Sequence, residues 1–170
     1  MPQNIRVIGT GQLLELQAKL RRAGHENLRA SMQRRIRRAA EPLKSDLQTS
    51  IRTLTITSTG RKAGKRGGPS PTTRPLREAI AQAIRISVRT TGNPGARVWI
   101  DRSALPSDIT NGVLARLDDG RLRHPTFGNR KRWSQQNAPA GWWTKTLRAH
   151  QPRITREVER VLDDVRRHLE

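Results

Sequence analysis

The side chains able to do acid–base or metal chemistry are few and scattered. His25, His124, His150 and His168 stand far apart, without the short repeated spacing by which a helix or loop offers two ligands to one metal. A histidine acting as general base also needs an orienting partner, and no local pattern supplies one. His124 alone sits in a distinctive context, and it reads as structural. Asp118 and Asp119 could in principle hold a divalent ion, but an acidic pair directly before Gly120 reads more simply as a helix end or turn. Cysteine is absent, which removes thiol nucleophiles, thiolate zinc sites and disulfides and fits synthesis in a reducing cytoplasm. The stretch GKRGG lacks both the spacing of a phosphate-cradling loop and the Ser or Thr that follows its lysine. No catalytic, cofactor-binding or metal-ligating residue is expected, and the chain does not read as an enzyme.

The residues that do stand out are suited to contact. From Gly120 to Trp143 the sequence is GRLRHPTFGNRKRWSQQNAPAGWW, which is basic, turn-rich and holds three of the four tryptophans. No carboxylate occurs between Asp119 and Glu157. Trp and Arg are favoured as interface anchors. Trp133, Trp142 and Trp143 therefore have two readings, as partner contacts or as pins that fix the last helix to a sheet, since buried Trp serves either use.

Composition limits what can position this segment. The chain has 170 residues, 33% of them hydrophobic and 3% aromatic, with one Phe and no Tyr. That is enough for a single domain over 1–170 with a modest, aliphatic, helix-dominated core, or a core completed by neighbouring subunits. Lys and Arg outnumber Asp and Glu by 34 to 14, a formal charge of +20, and such a field attracts polyanions or acidic protein surfaces. The first residues lack the charged start and apolar run of a signal peptide, and no later stretch has the length of a membrane span. A soluble protein made in the cytoplasm is expected.

Periodicity then places the elements. Ile5, Val7 and Ile8 form a short β-like entry, and Thr10 is a plausible cap for a helix. Leu13, Leu16, Leu20, Gly24, Leu28, Met32, Ile36, Ala39, Leu43, Leu47 and Ile51 then step by threes and fours, as one long buried stripe does. A helix from Leu13 to Thr53 would be about 60 Å long, more than a small domain covers by itself. Pro42 predicts a kink or break near Ala39–Glu41. The outer face, with Arg21, Arg22, Arg29, Arg34, Arg35, Arg37 and Arg38, is either solvated or meets a polyanion or acidic subunit.

Residues 58–74, STGRKAGKRGGPSPTTR, have too little apolar surface to offset ordering and predict a mobile basic loop. It is either an inert connector or an arm that orders on a neighbour or on nucleic acid, the latter through Arg61, Lys62, Lys65, Arg66 and Arg74. Pro75–Ile84 reads as a short helix with Leu76, Ile80 and Ile84 on one face. Alternation in Ile84–Val88 and Ala96–Ile100 around a Gly/Asn/Pro turn predicts a β-hairpin at about 84–101. Trp99 falls on the face opposite Val98 and Ile100, where it packs under a helix or meets a partner. Ile109–Asp119 is a short helix or a twisted strand stopped by Gly120. Trp143, Leu147, His150, Ile154, Val158, Val161, Leu162, Val165 and Leu169 keep near-helical spacing, with Pro152 as a break or a helix start, and a C-terminal helix from Pro152 is expected. The whole is an α+β reading: a long N-terminal helix, a small antiparallel sheet, a C-terminal helix and a flexible basic loop.

Three segments in this order carry a family resemblance: the basic helix ending RRAAEPLKSDLQTSI, the helix-hairpin TTRPLREAIAQAIRISVRTTG followed by GARVWID, and LDDGRLRHPTFGNRKRW followed by GWW and the last helix. Together they span most of the chain, which resembles the HK97 gp10-like family of phage head-tail connector and tail-completion (neck) proteins, in the form associated with actinobacteriophages. The family's central motif corresponds to Gly120, Arg123, His124, Pro125, Phe127, Gly128 and Asn129, with Trp133 and Gly141-Trp142-Trp143 following at the family's spacing. The resemblance implies a non-enzymatic virion protein, made in the host bacterial cytoplasm, that forms a six-fold or twelve-fold ring at the neck. There it would join the portal-adaptor to the tail tube, as a tail-completion or tail-terminator component. Arg123, His124, Phe127, Asn129, Arg130, Arg132, Trp133, Trp142 and Trp143 become the candidates for oligomer or partner contact, with possible contact to genomic duplex DNA in the ring's lumen. The rival reading is a basic nucleic-acid-binding protein, for which the charge alone is sufficient.

Overall fold

Met32, Ile36, Leu43, Leu47 and Ile51 are all buried, so the apolar stripe read from the sequence is the inner face of a real helix. The computed structural model describes residues 6–8, 26–58, 76–89, 95–107, 109, 111–126 and 129–167. In it the stripe lies on helix α1 (Glu26–Thr53); the expected helical residues before Glu26 lie outside the described residues. The small residue on the stripe is Ala40, fully buried, whereas Ala39 is only half-buried. The expected break at Ala39–Glu41 is absent, because α1 continues through Pro42. A proline inside a helix costs about 3 kcal/mol. Burial of Ile36 and Ala40 on one side and Leu43 and Leu47 on the other offsets it, at about 1.5–3 kcal/mol for each large aliphatic side chain.

The remaining elements follow in chain order: strand β1 (Arg6–Ile8) before α1, then β2 (Thr57–Ser58), α2 (Leu76–Ala83), β3 (Ile84–Arg89) and β4 (Gly95–Ile100). After a 3-10 turn at Arg102–Ala104 come α3 (Asn111–Asp118), β5 (Arg121–Thr126), β6 (Asn129–Asn137) and α4 (Thr144–Arg167). The fold is α+β. The segment Ile109–Asp119, open between helix and strand, is helical from Asn111, with Leu114 and Leu117 buried. Two antiparallel three-stranded sheets form, ordered β1-β4-β3 and β2-β6-β5.

The described residues gather into two compact units. One holds the β1-β4-β3 sheet, α1 up to Asp46 and α4 from Leu147. Its hairpin pairs Ile84 with Ile100, Ile86 with Val98 and Val88 with Ala96. Ile84, Ala96, Val98, Leu43, Leu147, Ile154 and Val158 are buried there. On the helices His150 meets Asp46 at 2.7 Å and Arg35 bonds Asp164.

The second unit holds the end of α1 from Leu47, then β2, α2, α3, the β2-β6-β5 sheet and the first turn of α4. Polar side chains stitch its backbone: Gln48 donates to the Ala81 carbonyl at 3.0 Å, Arg77 to that of Leu54 at 2.8 Å, and Ser50 to that of Trp142 at 3.3 Å. Arg52 makes a two-pronged bond to Glu78 at 2.8 and 3.0 Å.

The last helix corrects the sequence reading. It begins at Thr144 and carries Pro152 in its interior, not at its start. The cause is a cap from elsewhere in the chain. The Asp118 carboxylate, on the last residue of α3, accepts the backbone N–H groups of Trp143 at 2.9 Å and Thr144 at 3.2 Å and the Thr144 hydroxyl. It thus satisfies donors that a helix start leaves open. Pro152 is exposed, and the burial of Leu147 before it and Ile154 after it holds the helix together across it.

Candidate functional site

The Gly120–Trp143 segment, read from sequence as turn-rich, is instead a second β-hairpin. Gly120 makes the joint with α3: its φ is +79° and an added Cβ would lie 2.4 Å from the Ala138 carbonyl oxygen. Only glycine fits such a position without strain. The Gly120 carbonyl accepts the Ala138 N–H at 2.9 Å, which closes the open end of the hairpin. Along the strands Arg121 faces Asn137, Arg123 faces Gln135 and Pro125 faces Trp133, with a shift of register between Pro125 and Thr126. On the outer side of the same sheet, Thr57 of β2 pairs with Asn137.

Strand alternation sorts the side chains. Leu122 is buried and Ser134 and Gln136 are half-buried, which marks the inner face. Thr57, Arg121, Arg123, Lys131, Trp133, Gln135 and Asn137 are exposed. This outer face has three cations, two amides and an indole, and none of these seven residues is a carboxylate. Trp133, at 45% exposure, is the large hydrophobic side chain that the described residues leave open. The Arg123 guanidinium lies over its ring, 4.9 Å from the centroid, a cation–π contact that braces both side chains.

Trp142 and Trp143 are placed differently. They are 4% and 5% exposed and pack edge to face, with centroids 5.6 Å apart. Of the two readings open for them, burial fits the core pin. The Trp142 indole N–H is buried without a hydrogen-bond partner, so this ring is held by packing. Gly141, at φ +89°, turns the chain just before them. For the other contact candidates, the backbone of His124, Asn129, Arg130 and Arg132 lies in the hairpin, while their side chains, and all of Phe127, lie outside the described residues. So do the arm residues Arg61, Lys62, Lys65, Arg66 and Arg74.

The β1-β4-β3 sheet bears a related face. Arg85, Arg89 and Arg97 are exposed, and the Arg97 guanidinium sits 5.3 Å from the Trp99 ring centroid. Trp99 differs from Trp133 in being half-buried, with its indole N–H enclosed and unbonded.

Titratable groups with displaced pKa values occur at ion pairs. Hydrogen bonding from Arg52 holds Glu78 below the usual carboxylate range, and Glu78 in turn raises Arg52. Arg35, with help from Arg167, lowers Asp164. Among the described residues no three His, Asp or Glu side chains gather as metal ligands would, and no helix is long and apolar enough to cross a membrane. What the described geometry offers is a cationic, π-bearing surface. Neither family models nor curated proteins nor solved structures give a match to this chain.

Proposed function

We propose that this chain is a structural, non-catalytic virion protein of a tailed phage, forming a ring at the head-tail interface that joins the portal-adaptor to the tail tube. The reading rests on the resemblance of three ordered segments, and one structural observation supports it above others. The segment richest in family-like residues folds so that two of its tryptophans are interior while the third, with Arg121, Arg123 and Lys131, faces outward. A basic hairpin that presents an exposed tryptophan is suited to docking on a neighbour. Repeated heterologous docking closes a ring, six-fold or twelve-fold here, and a ring also lets each subunit supplement a modest aliphatic core. The net charge of +20 suits partners with acidic surfaces.

Native mass and electron microscopy of the purified protein test this reading. Discrete rings, or rings that close on added portal-adaptor or tail-tube protein, are the expected result, and Trp133→Ala should weaken assembly more than monomer folding. A chain that stays monomeric with both partners present would overturn it. The carboxylate-free face favours a second reading, nucleic-acid binding, in a specific form.

A further inference from the structure

We infer that the outer face of the β2-β6-β5 sheet binds a single nucleic-acid strand, with phosphates on Arg121, Arg123 and Lys131 and a base stacked on Trp133. The inference is independent of the ring: it concerns one face of one sheet within one unit.

Three features of the face point the same way. Its cations are undiluted, since none of the described residues there carries a carboxylate. Arg121 and Arg123 lie two residues apart on one strand, hence about 7 Å apart along it, a step that successive phosphates of an extended strand can follow. Gln135 and Asn137, directly across from those arginines, place amides with both donors and acceptors beside the path, where base edges would lie.

The indole decides between polyanions. An acidic peptide would satisfy the cations but bring nothing flat to a tryptophan that is 45% exposed. A duplex keeps its bases stacked on one another, so it too would leave the indole idle. An unpaired strand supplies both a charged backbone and a free π-face, the combination by which sequence-tolerant single-strand sites work. Arg123, stacked over Trp133, holds the ring in place and puts a cation beside the base it would receive.

The other sheet provides an internal control. Its face is also cationic through Arg85, Arg89 and Arg97, but its tryptophan is half-buried and its indole N–H is enclosed. Charge is shared by the two faces; an open stacking platform belongs to one.

The test is fluorescence anisotropy of a labelled oligothymidylate, a duplex of equal length and polyglutamate, titrated with the full chain at several salt concentrations. The oligothymidylate should bind most tightly, with a log–log salt slope of about −2 for three neutralised phosphates. Trp133→Ala should weaken it by about five-fold to a hundred-fold, while Trp133→Phe keeps most of the affinity. Arg121→Gln with Arg123→Gln should weaken it strongly, and Arg85→Gln with Arg97→Gln should do so much less. Circular dichroism checks that each variant is folded, and Trp133→Leu, which keeps bulk but has no π-face, serves if Trp133→Ala is not. Absence of oligothymidylate binding overturns the inference. Equal losses from the two arginine pairs would reduce it to diffuse charge attraction and also overturn it. Tighter binding of duplex or of polyglutamate would assign the face to that partner instead.

Discussion

Asp118→Ala should destabilise this protein more than any other single substitution of an incompletely buried polar side chain described above. The carboxylate sits at the end of α3 and accepts two backbone N–H groups, from Trp143 at 2.9 Å and Thr144 at 3.2 Å, besides the Thr144 hydroxyl. Removing an N-cap side chain costs about 0.5–2 kcal/mol. Its charge adds nothing net, because the carboxylate stands at the C-terminal end of α3 as well as at the start of α4 and the two helix dipoles act on it in opposite senses. The site is partly buried, and a donor left without a partner in such a place adds about 1–3 kcal/mol. Allowing for overlap between these effects, we expect a loss of about 2–4 kcal/mol. For a chain of this size that lowers the melting temperature by about 5–15 °C. Asp118→Asn keeps one acceptor oxygen and should recover roughly half of the loss. Asp119→Ala is the control, because its exposed neighbour should tolerate change within about 0.5 kcal/mol. Urea and thermal unfolding followed by circular dichroism and by tryptophan fluorescence, which reports on the adjacent Trp142 and Trp143, give the numbers. Equal stability of Asp118→Ala and Asp119→Ala would refute the cap.

Gly120→Ala should cost about 2–4 kcal/mol, the left-handed backbone accounting for about 1–2 and the 2.4 Å approach to the Ala138 carbonyl for the rest. Gly141→Ala meets only the flexible Lys145 side chain and should cost the backbone part alone, so urea midpoints in the reverse order would contradict the joint assigned to Gly120. In acid, Asp164 and Glu78 have folded pKa values below their unfolded ones because of Arg35 and Arg52. Their stabilisation is therefore complete above the unfolded carboxylate range, about pH 4, and is lost as pH falls through the lower folded values. Asp164→Asn should flatten this acid limb in chemical denaturation and leave the slope near neutrality unchanged; an unaltered acid limb would count against the Arg35–Asp164 pairing.

The parts of the fold legible in the sequence are those with an apolar period. The inner stripe of α1, the short α2 and the alternation of Ile84, Ile86 and Val88 against Ala96, Val98 and Ile100 each bury one face, so side-chain type reports backbone geometry. The second hairpin has no such signal. β6 reads NRKRWSQQN, and its half-buried positions Ser134 and Gln136 are as polar as its exposed ones, so no alternation of hydrophobicity exists to be read. The break expected at Pro42 and the helix start expected at Pro152 are absent for a different reason. Pro42 and Pro152 each carry a real local penalty, but core side chains on both sides of them outweigh it, and the Asp118 cap that starts α4 ahead of Pro152 comes from a residue 26 positions before Thr144, beyond any local window. At the candidate site the sequence marked the right segment but could not sort its tryptophans. All three lie in one basic stretch, and the difference between the exposed Trp133 and the interior Trp142 and Trp143 arises from strand alternation in one case and from the Gly141 turn into a helix in the other.

Charge arithmetic shows how far the cations exceed what the chain's own carboxylates can pair. Even if each of the 14 carboxylates took one cation, 20 of the 34 Lys and Arg residues would remain without one. Sharing alters this little: Asp164 serves both Arg35 and Arg167, while Glu78 serves Arg52. The carboxylates that hold these pairs, together with Asp46 and the capping Asp118, lie on helices; the outer faces of the two sheets carry Arg85, Arg89, Arg97, Arg121, Arg123 and Lys131. Cations gathered on one sheet face give that face a positive potential. An anion laid along either face would meet that potential. A single strand would meet this electrostatic demand directly, whereas a ring of like-charged copies would meet it only where acidic partner surfaces face the hairpin. They differ in what they ask of Trp133: a neighbouring subunit would bury it against side chains, whereas a nucleic-acid strand would stack a base on it. Retention of ring assembly with loss of oligothymidylate binding in Trp133→Ala assigns the indole to the strand, and the opposite pattern assigns it to the neighbour.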